Sequence, residues 1–238
     1  MSIWPAVLSG VTLAAGASAW AACHPASQLF GRTVTRIPSS SGVALTFDDG
    51  PNPAITPSLL DALDRHEVHA TFFLIGRWAR AAPAIVGEIA ARGHAIGNHT
   101  DTHPNMLWLS TRRIVDELVR CQQSIEGAGA RRPMLTRPPY GFRGPQFNSA
   151  VEQSGLSRVV MWSVMGRDWS PHGKQKLLER LKRVRGGDIV VLHDGDDAAL
   201  GADRRETVQA LEYFLPRWRD AGLRCVSLEE AGSWIDRT

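Results

Sequence analysis

Val43-Ala44-Leu45-Thr46-Phe47-Asp48-Asp49-Gly50-Pro51 sets an apolar run directly against two acids and a turn. The first five residues suit a buried strand, and Asp-Gly and Gly-Pro break it. Similar apolar runs recur at Ala70–Ile75, His94–Gly97, Met134–Thr136, Arg158–Ser163, Asp188–Leu192 and Arg224–Ser227. Between them lie helical patterns at Thr56–His66, Pro83–Arg92, Thr111–Ile125, Pro145–Ser154, Gln175–Val184, Arg204–Asp220 and Leu228–Ile235. Pro57 and Pro83 suit first helical turns, Ser110 suits a cap, and Gly93, Gly155 and Gly222 sit where helices should end. Strands alternating with helices predict an α/β fold with parallel strands joined as βαβ units. Seven such units predict a closed or nearly closed barrel, short of the usual eight.

The chain has 238 residues, 43% hydrophobic and 21% charged, which suits one large folded domain. A net charge of +3 with no dense Lys/Arg block argues against a nucleic-acid partner. Cys23, Cys121 and Cys225 are far apart and form no C-x-x-C pair, so a zinc cluster is not expected. Cys121 and Cys225 read as small core residues.

Residues 1–31 contain no Lys, Arg, Asp or Glu. Within them Ile3–Ala22 is apolar and small-residue rich, about the 20 residues that span a bilayer. Three readings compete: a membrane anchor, a signal peptide with Ala17-Ser18-Ala19 as its cleavage site, and a buried or interfacial helix. No basic residue precedes the segment, whereas Arg32 and Arg36 follow it. The chain therefore divides at sequence level into residues 1–40, an apolar segment and linker, and residues 41–238, a catalytic domain. Membrane-associated or exported placement is expected, through residues 3–22.

Four motifs carry chemistry. Asp48 and Asp49 end a strand, where successive side chains point in different directions, so one carboxylate can hold a metal while the other faces water. His99 and His103 are four apart and on a helical turn would share a face. With Asp49 they make a two-histidine, one-carboxylate set that leaves coordination positions open. Arg137-Pro138-Pro139-Tyr140 is a stiff turn that can aim the Tyr140 amide at an oxyanion, with Arg137 holding a carboxylate. His193 ends the strand before it, and Asp168-Trp169 follows another; together His193 and Asp168 suit a tuned general acid. Read singly, each has a bland alternative as a turn, a satisfied core histidine or a proline corner.

In order and spacing these motifs resemble the polysaccharide deacetylases of carbohydrate esterase family four, the NodB-homology domain, and within it the chitooligosaccharide deacetylase branch. The similarity runs from about Val43 to Glu230. It rests on Thr46–Pro53, Ala70–Gly76, Gly93–Pro104, Arg137–Gly141, Arg167–Ser170 and Ile189–Gly195. The resemblance implies a distorted (β/α)₇ barrel and a divalent ion, zinc or another such as cobalt, on Asp49, His99 and His103. It implies Asp48 as general base and His193 as general acid. Asp168 would set the pKa of His193, Arg137 would brace Asp48, and Tyr140 would supply the oxyanion amide. Leu192 and a tryptophan, Trp162 or Trp169, would wall the acetyl pocket. The activity implied is removal of N-acetyl groups from amino sugars in an oligo- or polysaccharide. Relatives often carry an Asp where this chain has Met165.

Other classes fit less well. A deacetylase or deformylase of a lipid-linked sugar at the membrane shares the same residues. A phosphohydrolase usually needs more ligands or a second metal. A non-catalytic carbohydrate-binding barrel would have lost a core residue. An iron oxygenase with the same ligand set is usually built on a β-helix rather than on alternating helices and strands.

Overall fold

The structure is a computed structural model that describes residues 16, 18–170 and 173–235. The strands are β1 (Thr33–Val34), β2 (Gly42–Gly50), β3 (Thr71–Leu74), β4 (Ala95–Asn98), β5 (Leu135–Thr136), β6 (Arg158–Val160), β7 (Val164–Met165), β8 (Ile189–His193) and β9 (Arg224–Val226). The helices are α1 (Thr56–Arg65), α2 (Gly76–Ala81), α3 (Pro83–Ala91), α4 (Thr111–Gly127), α5 (Phe147–Gln153), α6 (Gly173–Leu181), α7 (Arg205–Asp220) and α8 (Leu228–Ile235).

All strand pairs are parallel, in the order β1-β6-β5-β4-β3-β2-β8-β7, with β9 also pairing β2. The sheet curls into a distorted (β/α)₇ barrel, open between its edge strands β1 and β7. Just past β1 the chain crosses towards β8, where Arg36 bridges Asp188 and the Ile37 amide bonds the Gly187 carbonyl at 2.9 Å. The seven expected strands are present. The two additional ones, β1 and β7, are two residues long, too short to show a period. β1 falls within the stretch read from sequence as linker.

β2 is the axis of the molecule, and all nine of its residues are buried. Such a strand is largely apolar on both faces until it reaches the site. Val43, Leu45 and Phe47 join the large core between sheet and helices, while Ala44 joins a separate cluster with Ile189 and Phe73. The helices cover the sheet with one apolar stripe each; in α4 this is Ile114, Leu118, Cys121 and Ile125. Ser110 caps α4, its Oγ accepting from the Arg113 amide at 3.4 Å. Cys121 is buried and Cys225 partly so against the same core, and all three cysteines are free.

The stretch Ile3–Ala22 lies for the most part outside the described residues. Among the described residues no helix is long and apolar enough to cross a membrane. The last residues of that stretch and the chain after it pack on the barrel: Ala21, Ala22, Ser27 and Ile37 are buried. The fully buried guanidinium of Arg143 donates to the carbonyls of Ser27 at 2.6 Å and His24 at 3.2 Å. Its own amide bonds the Ala22 carbonyl at 3.1 Å.

Candidate active site

Parallel strands bring their carboxyl ends to one rim, and the rim holds the motifs. A cavity of about 260 Å³ opens there, lined by Asp48, Asp49, His99, His103, Tyr140 and His193 among others.

The two acids of β2 reach it by different means. Asp48 points inward by strand alternation, on the same face as Ala44 and Thr46. Asp49 would then point outward like Phe47. Instead the register slips between Asp48 and Gly50, and Asp49 takes φ +70°. That bulge turns a second consecutive carboxylate onto the site. Gly195 packs on the Asp49 carbonyl, where a Cβ would collide.

His99 and His103 do not share a helix. They lie on a loop after β4 in which Thr100 and His103 have φ +69° and +59°. The helical spacing expected from sequence is replaced by a knot of hydrogen bonds. Asn98 Oδ1 accepts from the Thr100 amide at 2.8 Å, and Thr100 Oγ1 accepts from the His103 amide at 3.1 Å. Glu117 of α4 accepts from the amides of Asp101 and Thr102 at 3.0 and 2.8 Å. Asn, Thr and Asp compete in this way with helical bonding.

The rings nevertheless converge. His99 Nε2 and His103 Nε2 lie 3.4 and 3.2 Å from Asp49 Oδ1. The three ligand atoms lie within 4.8 Å of one another. His99 Nδ1 faces the Arg137 carbonyl at 2.7 Å, which leaves its Nε2 as the lone pair. Burial, then the neighbouring His99, pushes His103 down to about 4, so its ring is neutral. Burial would raise the pKa of Asp49, but the His99 ring beside it and the cationic His193 hold it below the usual carboxylate range. Asp49 Oδ1 is buried and accepts no hydrogen bond. An ionised carboxylate with an orphaned oxygen facing two imidazole nitrogens is a donor set that suits a divalent cation.

Arg137 is fully buried. It donates to Asp48 Oδ1 at 2.6 Å, Thr46 Oγ1 at 2.9 Å and the carbonyls of Val160 and Met161 at 3.1 and 3.0 Å. Its charge is thus matched and its fork filled. Tyr140 has φ 59° and ψ 0° within the short turn Pro139–Gly141. The Gly141 and Phe142 amides bond back to Pro138 and Pro139 at 3.0 Å. Among the described residues the Tyr140 amide has no hydrogen-bond acceptor, and Tyr140 lines the cavity. Its hydroxyl donates to Asp197 Oδ2 at 2.9 Å.

His193 Nδ1 meets Asp168 Oδ1 at 2.8 Å, and Asp168 Oδ2 accepts from the His193 amide and Thr207 Oγ1, both at 2.7 Å. Burial alone would lower the pKa of His193. The charge and hydrogen bond of Asp168, with Asp49 and Asp48 behind, raise it to about 9. Trp169 stands edge-on to His193, with ring centres 4.6 Å apart.

Leu192 is not a pocket wall. Its side chain is fully buried in the core outside the sheet, while Val191 and His193 face the cavity. The alternation along β8 decides this, since residues two apart share a face. Trp162 and Trp169 do line the cavity. Sequence reasoning missed Asp197, whose Oδ2 also meets His103 Nδ1 at 3.2 Å. It missed Arg204 as well, which pins that loop through Asp196 Oδ2 at 2.7 Å. The only signal was the acidic run Asp194-Gly195-Asp196-Asp197 after His193.

Comparison with known proteins agrees with this geometry. The family model described as polysaccharide deacetylase matches residues 36–159. A chitooligosaccharide deacetylase of Sinorhizobium fredii is 37% identical over 207 residues, covering 84% of this chain and 96% of that protein. A peptidoglycan-N-acetylglucosamine deacetylase of Bacillus cereus is 35% identical over 190 residues, covering 79% and 86%. A family 4 carbohydrate esterase from Streptomyces lividans, solved in complex with acetate, superposes with a TM-score of 0.71 at 32% identity, covering 79% of this chain and 92% of that one. The chain belongs to the polysaccharide deacetylase family. A pseudoenzyme of the same family from Bacillus anthracis superposes as well, with a TM-score of 0.75 at 28% identity, covering 84% and 68%. The fold alone therefore does not carry activity, and the case for catalysis rests on the residues.

Proposed function

We propose that this chain is a metal-dependent N-deacetylase of amino sugars in an oligo- or polysaccharide, yielding acetate and a free amine. One observation supports this reading above the others. A carboxylate–imidazole–imidazole seat with an orphaned oxygen lies in one cavity with an Arg-held carboxylate and an Asp-held histidine. Asp49, His99 and His103 would hold zinc or a similar divalent cation, which supplies Lewis acidity, lowering the pKa of water towards about 7 and polarising the amide carbonyl.

The chain's own residues do the rest. Asp48 takes a proton from the attacking water; Arg137 holds its Oδ1, and among the described residues its Oδ2 accepts no hydrogen bond. The Tyr140 amide donates to the oxygen as it gains charge; losing one such donor costs about 3 kcal/mol in comparable sites. His193, protonated at neutral pH, gives its proton to the nitrogen as the C–N bond breaks. The remaining acyl group leaves as acetate. Trp162, Trp169 and Val191 bound the space for the acetyl methyl.

The second reading, a deacetylase or deformylase of a lipid-linked sugar at a membrane, rests on the apolar residues 3–22. It is supported by where the chain enters the fold: Cys23 and Pro25 border a groove that adjoins the cavity. Exported or membrane-associated placement belongs to the same proposal. Mass spectrometry of N-acetylated chitooligosaccharides incubated with the metal-loaded full-length chain separates the two. Loss of acetyl groups supports the first reading. Intact soluble glycans, with acyl release only from a lipid-linked sugar, support the second.

A further inference from the structure

Beside the catalytic cavity runs a second groove of about 470 Å³. It shares Tyr140, Trp162 and Met165 with the cavity, so a glycan can continue from one into the other. Its far side is Cys23 and Pro25, held in place by Arg143, with Arg167 and Arg180 completing the lining. The two spaces differ sharply in charge. The cavity mixes its acids Asp48, Asp49, Asp196 and Asp197 with Arg204, three histidines and the candidate metal seat. The groove has two guanidinium groups and no carboxylate.

Neither cation is satisfied internally. Among the described residues the exposed Arg167 guanidinium has no hydrogen bond or ion pair, and Arg180 has only the Gly166 carbonyl at 3.3 Å. Arg167 also holds φ +55°, a conformation costing a non-glycine residue about 1 kcal/mol. A guanidinium presents a planar fork that matches two oxygens of one anion.

We propose that this groove is a subsite for an acidic group, carboxylate or phosphate, on the sugar next to the one that loses its acetyl. The proposal rests on the deacetylase reading. The position of the acid follows from the charges. An acid on the reacting sugar would stand among aspartates already matched by the cavity's own cations, whereas one on its neighbour would meet two guanidinium groups with no carboxylate in the groove. Trp162, between the two spaces, offers an apolar face to the linking ring.

The test measures kcat/KM of the full-length, metal-loaded chain on three soluble oligosaccharides of equal length. One is neutral and fully N-acetylated, one carries a lactyl-ether carboxylate on alternate sugars, and one carries a phosphate monoester there. The wild type should prefer at least one acid-bearing substrate about tenfold, through KM, since a charge-assisted hydrogen bond is worth about that factor. Arg167→Gln and Arg180→Gln should each erode the preference severalfold, with Arg→Lys variants in between. Preference for the carboxylate alone assigns a sugar acid; preference for the phosphate alone assigns a phosphorylated glycan. Equal handling of all three, or a preference that survives both glutamine substitutions, overturns the subsite. If none is deacetylated, the deacetylase reading fails separately. Calorimetry then decides the subsite by whether the acid-bearing oligosaccharides bind about tenfold tighter than the neutral one.

Discussion

Replacing Asp168 with asparagine removes the charge that keeps His193 protonated and leaves its shape nearly unchanged. His193 rises from 6.5 to about 9 although burial opposes the shift, and Asp168 is the main cause. The displacement corresponds to about 3 kcal/mol in favour of the imidazolium. A general acid must carry its proton, so wild-type activity should hold below pH 9 and fall as pH rises through it. In Asp168→Asn, burial governs and His193 titrates at 6.5 or below. At pH 8 the protonated fraction then drops about thirtyfold, and further at higher pH. The assay is kcat/KM for acetate release across pH 5.5 to about 10, with circular dichroism to confirm folding. The alkaline limb should move from near pH 9 to near or below 6.5. A mutant whose limb overlays that of the wild type would refute the pairing as the source of acid catalysis.

Three further outcomes follow from the geometry. Asp48→Asn should cut kcat by about 10²–10⁴-fold while leaving zinc affinity, read by chelator competition, within a few fold of wild type. Leu192→Ala should lower stability by about 3 kcal/mol in urea unfolding without changing the KM ratio between acetylated and bulkier acylated substrates, whereas Val191→Leu should change that ratio. A chain beginning at Ser41 should unfold at least about 3 kcal/mol more easily than the full chain, because buried Arg143 loses the carbonyls of Ser27 and His24; equal stability would show that this segment contributes nothing.

The barrel could be read from the sequence because its central strands, β2, β3, β4 and β8, are apolar runs ending in turn residues. β2 carries both signals in nine residues. What escaped was short or non-local. β1 and β7 have two residues each. α2 follows directly on β3 with no side-chain cap at Ile75 and a glycine in its first position. The site's residue types were visible, but their placement was not always. His99 and His103 converge through a loop held by Asn98, Thr100 and Glu117, none of which advertises that role by spacing. Leu192 and Val191 differ only in which face of β8 they occupy, and that depends on strand phase rather than composition. Arg143 reads as a surface cation until the partner carbonyls arrive from residues 24–27. Asp197 reaches His103 and Tyr140 across the fold, 94 and 57 residues away in sequence.

The central claim is that Asp49, His99 and His103 form a metal seat on which the chemistry depends. The most direct test is acetate release from N-acetylated chitooligosaccharides by full-length protein stripped with chelator, then titrated with zinc. Stripped protein should release no acetate, and recovery should saturate at one ion per chain, with His99→Ala neither binding zinc nor recovering. Full activity in the stripped protein, or zinc-restored activity in His99→Ala, would contradict that claim.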